Sequence, residues 1–247
     1  MIRRLLPVLF ILFAVVANAG SDDRQPVLKG DLDKLIHDYI LAHPEVIAEA
    51  EKALLDRRVK DVLAANQAAL TADPADGEIG NPKGDVTIVE FFDNECPFCK
   101  LMAPTLDQLV AKDGNIRIVL KEFAILGPGS DVAARYSLAS LRQGRYAAFH
   151  AALMADKTPE HHLAEPHILD LAAAVGLDVA KLKQDAQAPE IAEQINRVRS
   201  LGRAIGISGT PGLVIGDTVQ SGALPYDALV KAVAAVRAAK QAAASLH

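Results

Sequence analysis

The chain has 247 residues, 51% of them apolar, a formal net charge of −5, no tryptophan and two cysteines. Its length accommodates one or two domains with a sizeable core, and its acidic balance argues against a nucleic-acid partner, which requires a basic face. A zinc site needs three or four protein ligands, and no Cys/His cluster stands near the two cysteines.

Residues 1–19 read as an address. Arg3 and Arg4 form a positive start, Leu5 to Val16 a short apolar run, and Ala17-Asn18-Ala19 a small-residue cleavage site. The alternative is a membrane anchor, for which the run is short, and no later stretch approaches the ~20 apolar residues of a span. Export would place the cysteines in an oxidising compartment, where a structural disulfide is the bland reading. A bridge across two intervening residues, however, removes little unfolded-chain entropy.

Residues 20–77 are expected to be helical. Leu32, Leu35, Ile36, Tyr39 and Ile40 recur at helical spacing, and Pro44 opens a second helix running to about Ala72, with Ile47, Leu54, Leu55, Val59, Leu63 and Leu70. Two such helices hide little area alone. Their stripe is expected either to pack on the following domain or to associate with copies of itself. Residues 73–85, rich in Gly, Pro and acidic residues, read as a linker with a short edge strand near Ile79, and the domain boundary is expected there.

Val86 to Phe92 has the composition of a buried strand, and Leu101, Met102, Leu106, Leu109 and Val110 mark the helix after it. Cys96 and Cys99 sit at the joint. Their i, i+3 spacing brings both sulfurs to one side, Pro97 suits a first turn, and the helix N-terminus favours a thiolate at Cys96. Glu90 interrupts the apolar strand. A buried carboxylate is costly unless paired or useful; otherwise it reaches water at a strand end.

Ile116 to Phe123 is a second strand, in which Lys121 is either a buried counter-ion or a solvated edge lysine. Helices are predicted over 133–142, 146–155, 166–175, 179–186 and 189–204, followed by Gly209-Thr210-Pro211-Gly212, strands at 213–215 and 218–221, and a helix over 226–243. His150 is expected to be a packed core residue, and the adjacent His161 and His162 do not suggest a metal site. Strand–helix–strand, a helical block, a hairpin and a last helix make an α/β layered fold. A C-x-x-C beside that pattern reads as thioredoxin-like.

On Phe91-Phe92-Asp93, Cys96-Pro97, Cys99-Lys100 and Thr210-Pro211, residues 78–247 resemble the DsbA-like thioredoxin-fold thiol:disulfide oxidoreductases, with a helical insertion over about 130–204. Tyr39 to Ile47 is similar to the segment that precedes this domain in the ScsC/Com1-like subgroup. The resemblance implies an exposed, attacking Cys96, a buried, resolving Cys99, a cis-proline loop at Thr210-Pro211, and Glu90 as the buried acid that relays the proton of Cys99. Three positions depart from it. Phe98 stands where strongly oxidising relatives have His, Ala124 where many have Pro, and Glu95 sets a like charge beside Cys96 that would oppose ionisation.

The expected function is therefore exchange of disulfides with substrate proteins in the periplasm, without a small-molecule cofactor or metal. A DsbD-like or DsbB-like membrane partner would supply or remove electrons. A homo-oligomer formed through 20–77 would favour isomerisation, and a monomer a DsbA-type oxidase. The same two thiolates, being soft ligands, could instead sequester copper(I).

Overall fold

The structure, a computed structural model, describes residues 29–245. The address read at 1–19 and the stretch 20–28 lie outside the described residues. The chain divides into two compact units, ending and beginning at Ala50 and Glu51.

In the first unit, α1 (Lys29–Ala42) is followed at once by the start of α2 (Glu45–Ala65). Pro44 lies at the junction, where the His43 N–H still reaches back to the Tyr39 carbonyl at 2.8 Å. The apolar stripe of this unit is solvent-facing: Leu32, Leu35, Ile36, Tyr39, Leu41 and Ile47 are 44 to 68% exposed.

The second unit opens with the rest of α2, then α3 (Gln67–Thr71). The single helix expected from Pro44 to Ala72 is broken at Asn66, whose side-chain amide bonds the Val62 carbonyl at 2.8 Å. The unit continues with β1 (Gly77–Gly80), β2 (Val86–Phe92), α4 (Pro97–Asp113) and β3 (Ile116–Glu122). Five helices follow: α5 (Pro128–Ser140), α6 (Tyr146–Ala155), α7 (Glu165–Ala174), α8 (Val179–Asp185) and α9 (Pro189–Ala204). The hairpin β4 (Gly212–Ile215) and β5 (Thr218–Ser221), and then α10 (Tyr226–Ala244), complete it.

The strands form one sheet in the order β1-β3-β2-β4-β5, with β2 and β3 parallel and every other pairing antiparallel. Side-chain alternation sorts the sheet into two faces. Val86, Ile88, Phe92, Ile116, Ile118 and Leu120 pack with α4 and α10; Val89, Phe91, Val119 and Phe123 pack with Leu63, Leu70, Val198 and Ile207. Helices α5 to α8 build their own cluster around Tyr136, Phe149, Leu153, Ile168 and Leu182. This is a thioredoxin-type α/β layer with an inserted helical block. Among the described residues no helix is long and apolar enough to cross a membrane.

The linker expected at 73–85 lies inside the second unit. β1 pairs along β3 from Gly77↔Leu120 to Gly80↔Arg117, and Leu63 and Leu70, upstream of it, are core residues only 4% and 1% exposed. Contact with the sheet begins beyond the division at Ala50: Leu54 and Leu55 are still 46% and 58% exposed, and from Val59 on the apolar residues pack with Val89, Phe91 and Val119.

Candidate functional site

Cys96 is the N-cap of α4, with extended φ/ψ of −69° and 118°, and Pro97 occupies the first turn. An N-cap side chain is aimed at the free N–H groups of the next residues. The Cys96 side chain makes no capping hydrogen bond, and its thiol is held down at about 6 chiefly by the hydrogen bond from the Cys99 thiol. Burial opposes this shift, while the Thr210 side chain and the backbone N–H groups of Cys99 and Phe98 add to it. The Thr210–Pro211 bond is cis, and the Cys96 thiol lies 3.3 Å from the Thr210 carbonyl, to which it can donate.

Cys99, three residues into the helix, is fully buried. Burial, then its bond to Cys96 and the charges of Glu90 and Cys96, push its thiol far above the ordinary range. Neither cysteine is bridged. The exposure that the resemblance implies for Cys96 is reduced to 4%, against 0% for Cys99, because the Thr210–Pro211 loop lies over it. Phe98 and Leu101, on the outer side of the same turns, are 60% and 69% exposed.

Glu90 lies on the α4 face of the sheet, paired in register with Leu120 on one side and Leu213 on the other. It is 3% exposed, and burial first, then the charges of Cys96, Asp107 and Glu122, raise its carboxyl to about 8. Lys121 is buried, which removes the solvated reading, but it is one residue out of phase with Glu90. It points to the opposite face, where its ammonium pairs with Asp76 and the Ala69 carbonyl. Glu90 therefore has no cation from that strand.

Glu95 also departs from expectation. Its carboxylate accepts from the Ser130 N–H at 3.1 Å, in the first turn of α5, and from the Leu163 N–H at 3.0 Å, just before α7. It is not among the groups that shift the Cys96 thiol; these hydrogen bonds point its charge into the helical block. Gly129 makes the approach possible, since a Cβ there would stand 2.9 Å from Glu95 Oε1 and 2.6 Å from the Leu163 carbonyl.

All three residues before Cys96 are buried clamps. Asp93 accepts from the Ile125 N–H at 2.8 Å and the Leu126 N–H at 3.0 Å, and from the Ser130 hydroxyl at 2.7 Å. Asn94 donates to Glu122 at 2.8 Å, and the Tyr146 hydroxyl donates to the other oxygen of Glu122 at 3.0 Å. Glu122 is a second buried carboxyl on the α4 face, raised by burial to about 8 against those hydrogen bonds. Sequence reasoning missed Asp76, Asn94, Asp107 and Glu122. The alternation Ile116, Ile118, Leu120, Glu122 was the available signal for the last of them.

His150 is a core residue, its ring edge-on to Phe92 at 4.8 Å between centroids. Among the described residues no group of three or more His, Cys, Asp or Glu is placed to hold a metal. The joint brings together an ionisable sulfur under the Thr210–Pro211 loop, a second sulfur behind it in the core, and a buried carboxyl on the sheet, a set whose chemistry is that of thiol exchange.

Residues 87–234 match the family described as the DSBA-like thioredoxin domain, and residues 29–66 match the copper resistance protein ScsC N-terminal domain. A thioredoxin-like oxidoreductase from Silicibacter pomeroyi DSS-3 is 41% identical, with a TM-score of 0.67 over 70% of this chain and 98% of that one. A linker-deleted mutant of ScsC from Proteus mirabilis is 27% identical, with a TM-score of 0.69 over 88% of this chain and 99% of that one. The Na+/H+ antiporter NhaA of Herminiimonas arsenicoxydans is 31% identical over 143 residues, 56% of this chain and 22% of that protein. The chain spans about a quarter of the length of the antiporter relatives that it matches.

Proposed function

The chain belongs to the DSBA-like thioredoxin domain family, and on that premise we propose that it is an exported thiol:disulfide oxidoreductase that exchanges disulfides with substrate proteins through Cys96 and Cys99. One observation carries the reading: the two thiols are driven in opposite directions, Cys96 down to about 6 at the helix N-cap and Cys99 far up in the core. The first is a thiolate at neutral pH and can attack. The second stays protonated until a mixed disulfide presents it with a target.

In the reducing direction the Cys96 thiolate attacks one sulfur of a substrate disulfide. That S–S bond breaks, one substrate thiolate leaves, and a Cys96–substrate disulfide forms. Cys99 then gives its proton to Glu90 in its carboxylate form, the minor form at neutral pH for a carboxyl raised to about 8, and attacks the Cys96 sulfur. The Cys96–Cys99 bond forms as the second substrate thiolate leaves. The substrate gains two electrons and the pair loses two. Oxidation of a substrate dithiol is the same path reversed, and no small-molecule cofactor enters. The Thr210–Pro211 loop covers the attacking sulfur and positions it.

A thiol value near 6 lies between the ~7 of thioredoxin and the ~3.5 of DsbA. That placement supports a couple of intermediate oxidising power, suited to isomerisation as well as oxidation. The exposed stripe of 32–47, together with the match of 29–66 to the ScsC N-terminal domain, supports self-association, which would hold several Cys96 sites around one substrate. The address read at 1–19 supports a periplasmic site of action, with a membrane redox partner setting the direction of electron flow.

The test is Cys99→Ala. It should accumulate a mixed disulfide through Cys96 with a scrambled multi-disulfide protein, whereas Cys96→Ala should trap nothing. Trapping through both cysteines equally would end the assignment.

The second reading, copper(I) sequestration by the same thiolates, draws on the match to a copper resistance protein's N-terminal domain. It predicts tight copper(I) binding with little turnover of a scrambled substrate in metal-free buffer.

A further inference from the structure

The loop that follows β3 is gripped at a single peptide group by two opposite charges. Arg199 of α9 donates to the Ala124 carbonyl from Nε at 2.8 Å and from Nη2 at 2.6 Å. The N–H of that same peptide, on Ile125, donates to Asp93 Oδ2 at 2.8 Å, and the Leu126 N–H joins it at 3.0 Å. A cation on the oxygen and a carboxylate on the hydrogen follow the peptide dipole, so both bonds are charge-assisted and reinforce one another. Close packing brings Arg199 within reach. Gly202, one turn further along α9, lacks the Cβ that would stand 2.7 Å from the Phe123 ring. Asp131 of α5 then accepts from Arg199 Nη2 at 3.1 Å and is itself held by Arg135 at 2.7 Å.

What the grip fixes is Ile125, whose side chain is left 40% exposed. Beyond Leu55, the large apolar side chains described as exposed are Phe98, Leu101, Ile125 and Val230. Phe98 and Leu101 stand on the first turns of α4, and Ile125 is tied to the turn that leads into them. The tie is Asp93, which holds the Ile125 N–H with its side chain and the Cys96 N–H with its backbone carbonyl at 3.1 Å. The main chains of Ile125 and Cys96 therefore hang on one residue. An apolar side chain held still yet left in water is preorganised for a partner, because its loop has no freedom left to lose on binding.

We propose that Arg199 is a positioning residue for protein substrates: its grip on the Ala124–Ile125 peptide presets Ile125 as a wall beside Cys96, against which an apolar residue flanking the substrate's cysteine packs. The proposal rests on the reading of Cys96 as the sulfur that attacks substrate proteins. Arg199 makes and breaks no bond in the exchange. It acts through the Ala124–Ile125 peptide, and the helical block thereby takes part in choosing what reaches the sulfur. A small disulfide, which carries no flanking residue, is indifferent to the wall.

The experiment compares two substrates well below the melting temperature of each variant: a scrambled multi-disulfide protein turned over in glutathione buffer, and a small aromatic disulfide followed by stopped flow. Arg199→Met keeps the packing of the stem and removes the fork. It should raise KM for the protein about tenfold, the worth of ordering a loop and its side chain on binding, with kcat and the small-disulfide rate within twofold of the parent. Ala124→Pro in that background should bring KM back, because proline fixes the backbone there and the Ala124 N–H donates to no described residue. Ile125→Ser, a change at an exposed side chain, should raise KM by itself, and adding Arg199→Met should change it no further. A merely structural role would show neither the split nor the non-additivity. If Arg199→Met does not fold, Arg199→Lys, which keeps one bond to the carbonyl without the fork, carries the same comparisons with a smaller rise. An unchanged KM, equal slowing with both disulfides, or an additive loss on Ile125→Ser would overturn the role of Arg199. Failure of the parent chain to react with the small disulfide would instead remove the oxidoreductase reading.

Discussion

Glu90 makes opposite contributions to stability and to turnover. In the unfolded chain it titrates near its ordinary 4.5, and folding raises it to about 8, mostly through burial. The folded protein therefore binds the extra proton. The stability linked to that proton is complete below 4.5 and is lost as pH rises towards about 8. Glu122 follows the same sign on the same face. Glu90→Gln mimics the protonated acid, so it should raise the melting temperature by an increment that grows between those two pH values and then levels. The same substitution should slow release of mixed disulfides, because the amide cannot take the proton of Cys99. Thermal melts across pH beside single-turnover kinetics check both halves. A stability gain with unchanged kinetics would mark Glu90 as a tolerated buried acid only.

At the scale of elements, local signals carried most of the fold. The prolines that open α4 and α9, and the Gly216-Asp217 turn of the hairpin, marked ends that the structure places at or within a residue of the expected ones. Partners across the sheet were less legible. Alternation says that Glu90 and Lys121 each lie on a face, but only the register Phe91↔Lys121 puts Lys121 on the face away from Glu90. For the same reason Glu95 beside Cys96 in sequence says nothing of where its carboxylate is held.

Asp76, in a stretch that reads as linker, turns out to anchor the edge strand through a buried pair with Lys121 and a 2.8 Å bond from Gln194. Burial outweighs Lys121 and raises Asp76 to about 6. Removing one member leaves the other buried without its partner, at a cost of about 3–5 kcal/mol. Asp76→Ala and Lys121→Met should each destabilise on that scale in urea denaturation, and the double substitution by less than their sum. Strict additivity would mean that the pair is not coupled.

For the whole molecule, the division at Ala50 decides where a truncation can be made. Deleting residues up to 50 removes the exposed apolar residues between Leu32 and Ile47, leaves the exposed Leu54 and Leu55, and spares the buried Leu63 and Leu70. Deleting to about 75 also takes those two core leucines, each worth about 2–5 kcal/mol by comparison with Leu→Ala substitutions. The shorter deletion should give a folded monomer by light scattering that keeps thiol oxidase activity and loses isomerase activity, while the longer one should melt well below it. If the intact chain already scatters as a monomer, self-association loses its support and a monomeric oxidase becomes the better reading.

All of these readings depend on Cys96 being the reactive thiol and Cys99 the protected one. Site-resolved alkylation of the reduced protein across pH, followed by mass spectrometry, reads that difference directly. Cys96 should be labelled first, along a profile centred at about 6, with Cys99 unlabelled until the protein unfolds. Equal rates at the two cysteines, or a Cys96 profile centred near the ordinary thiol value of 9, would contradict the account.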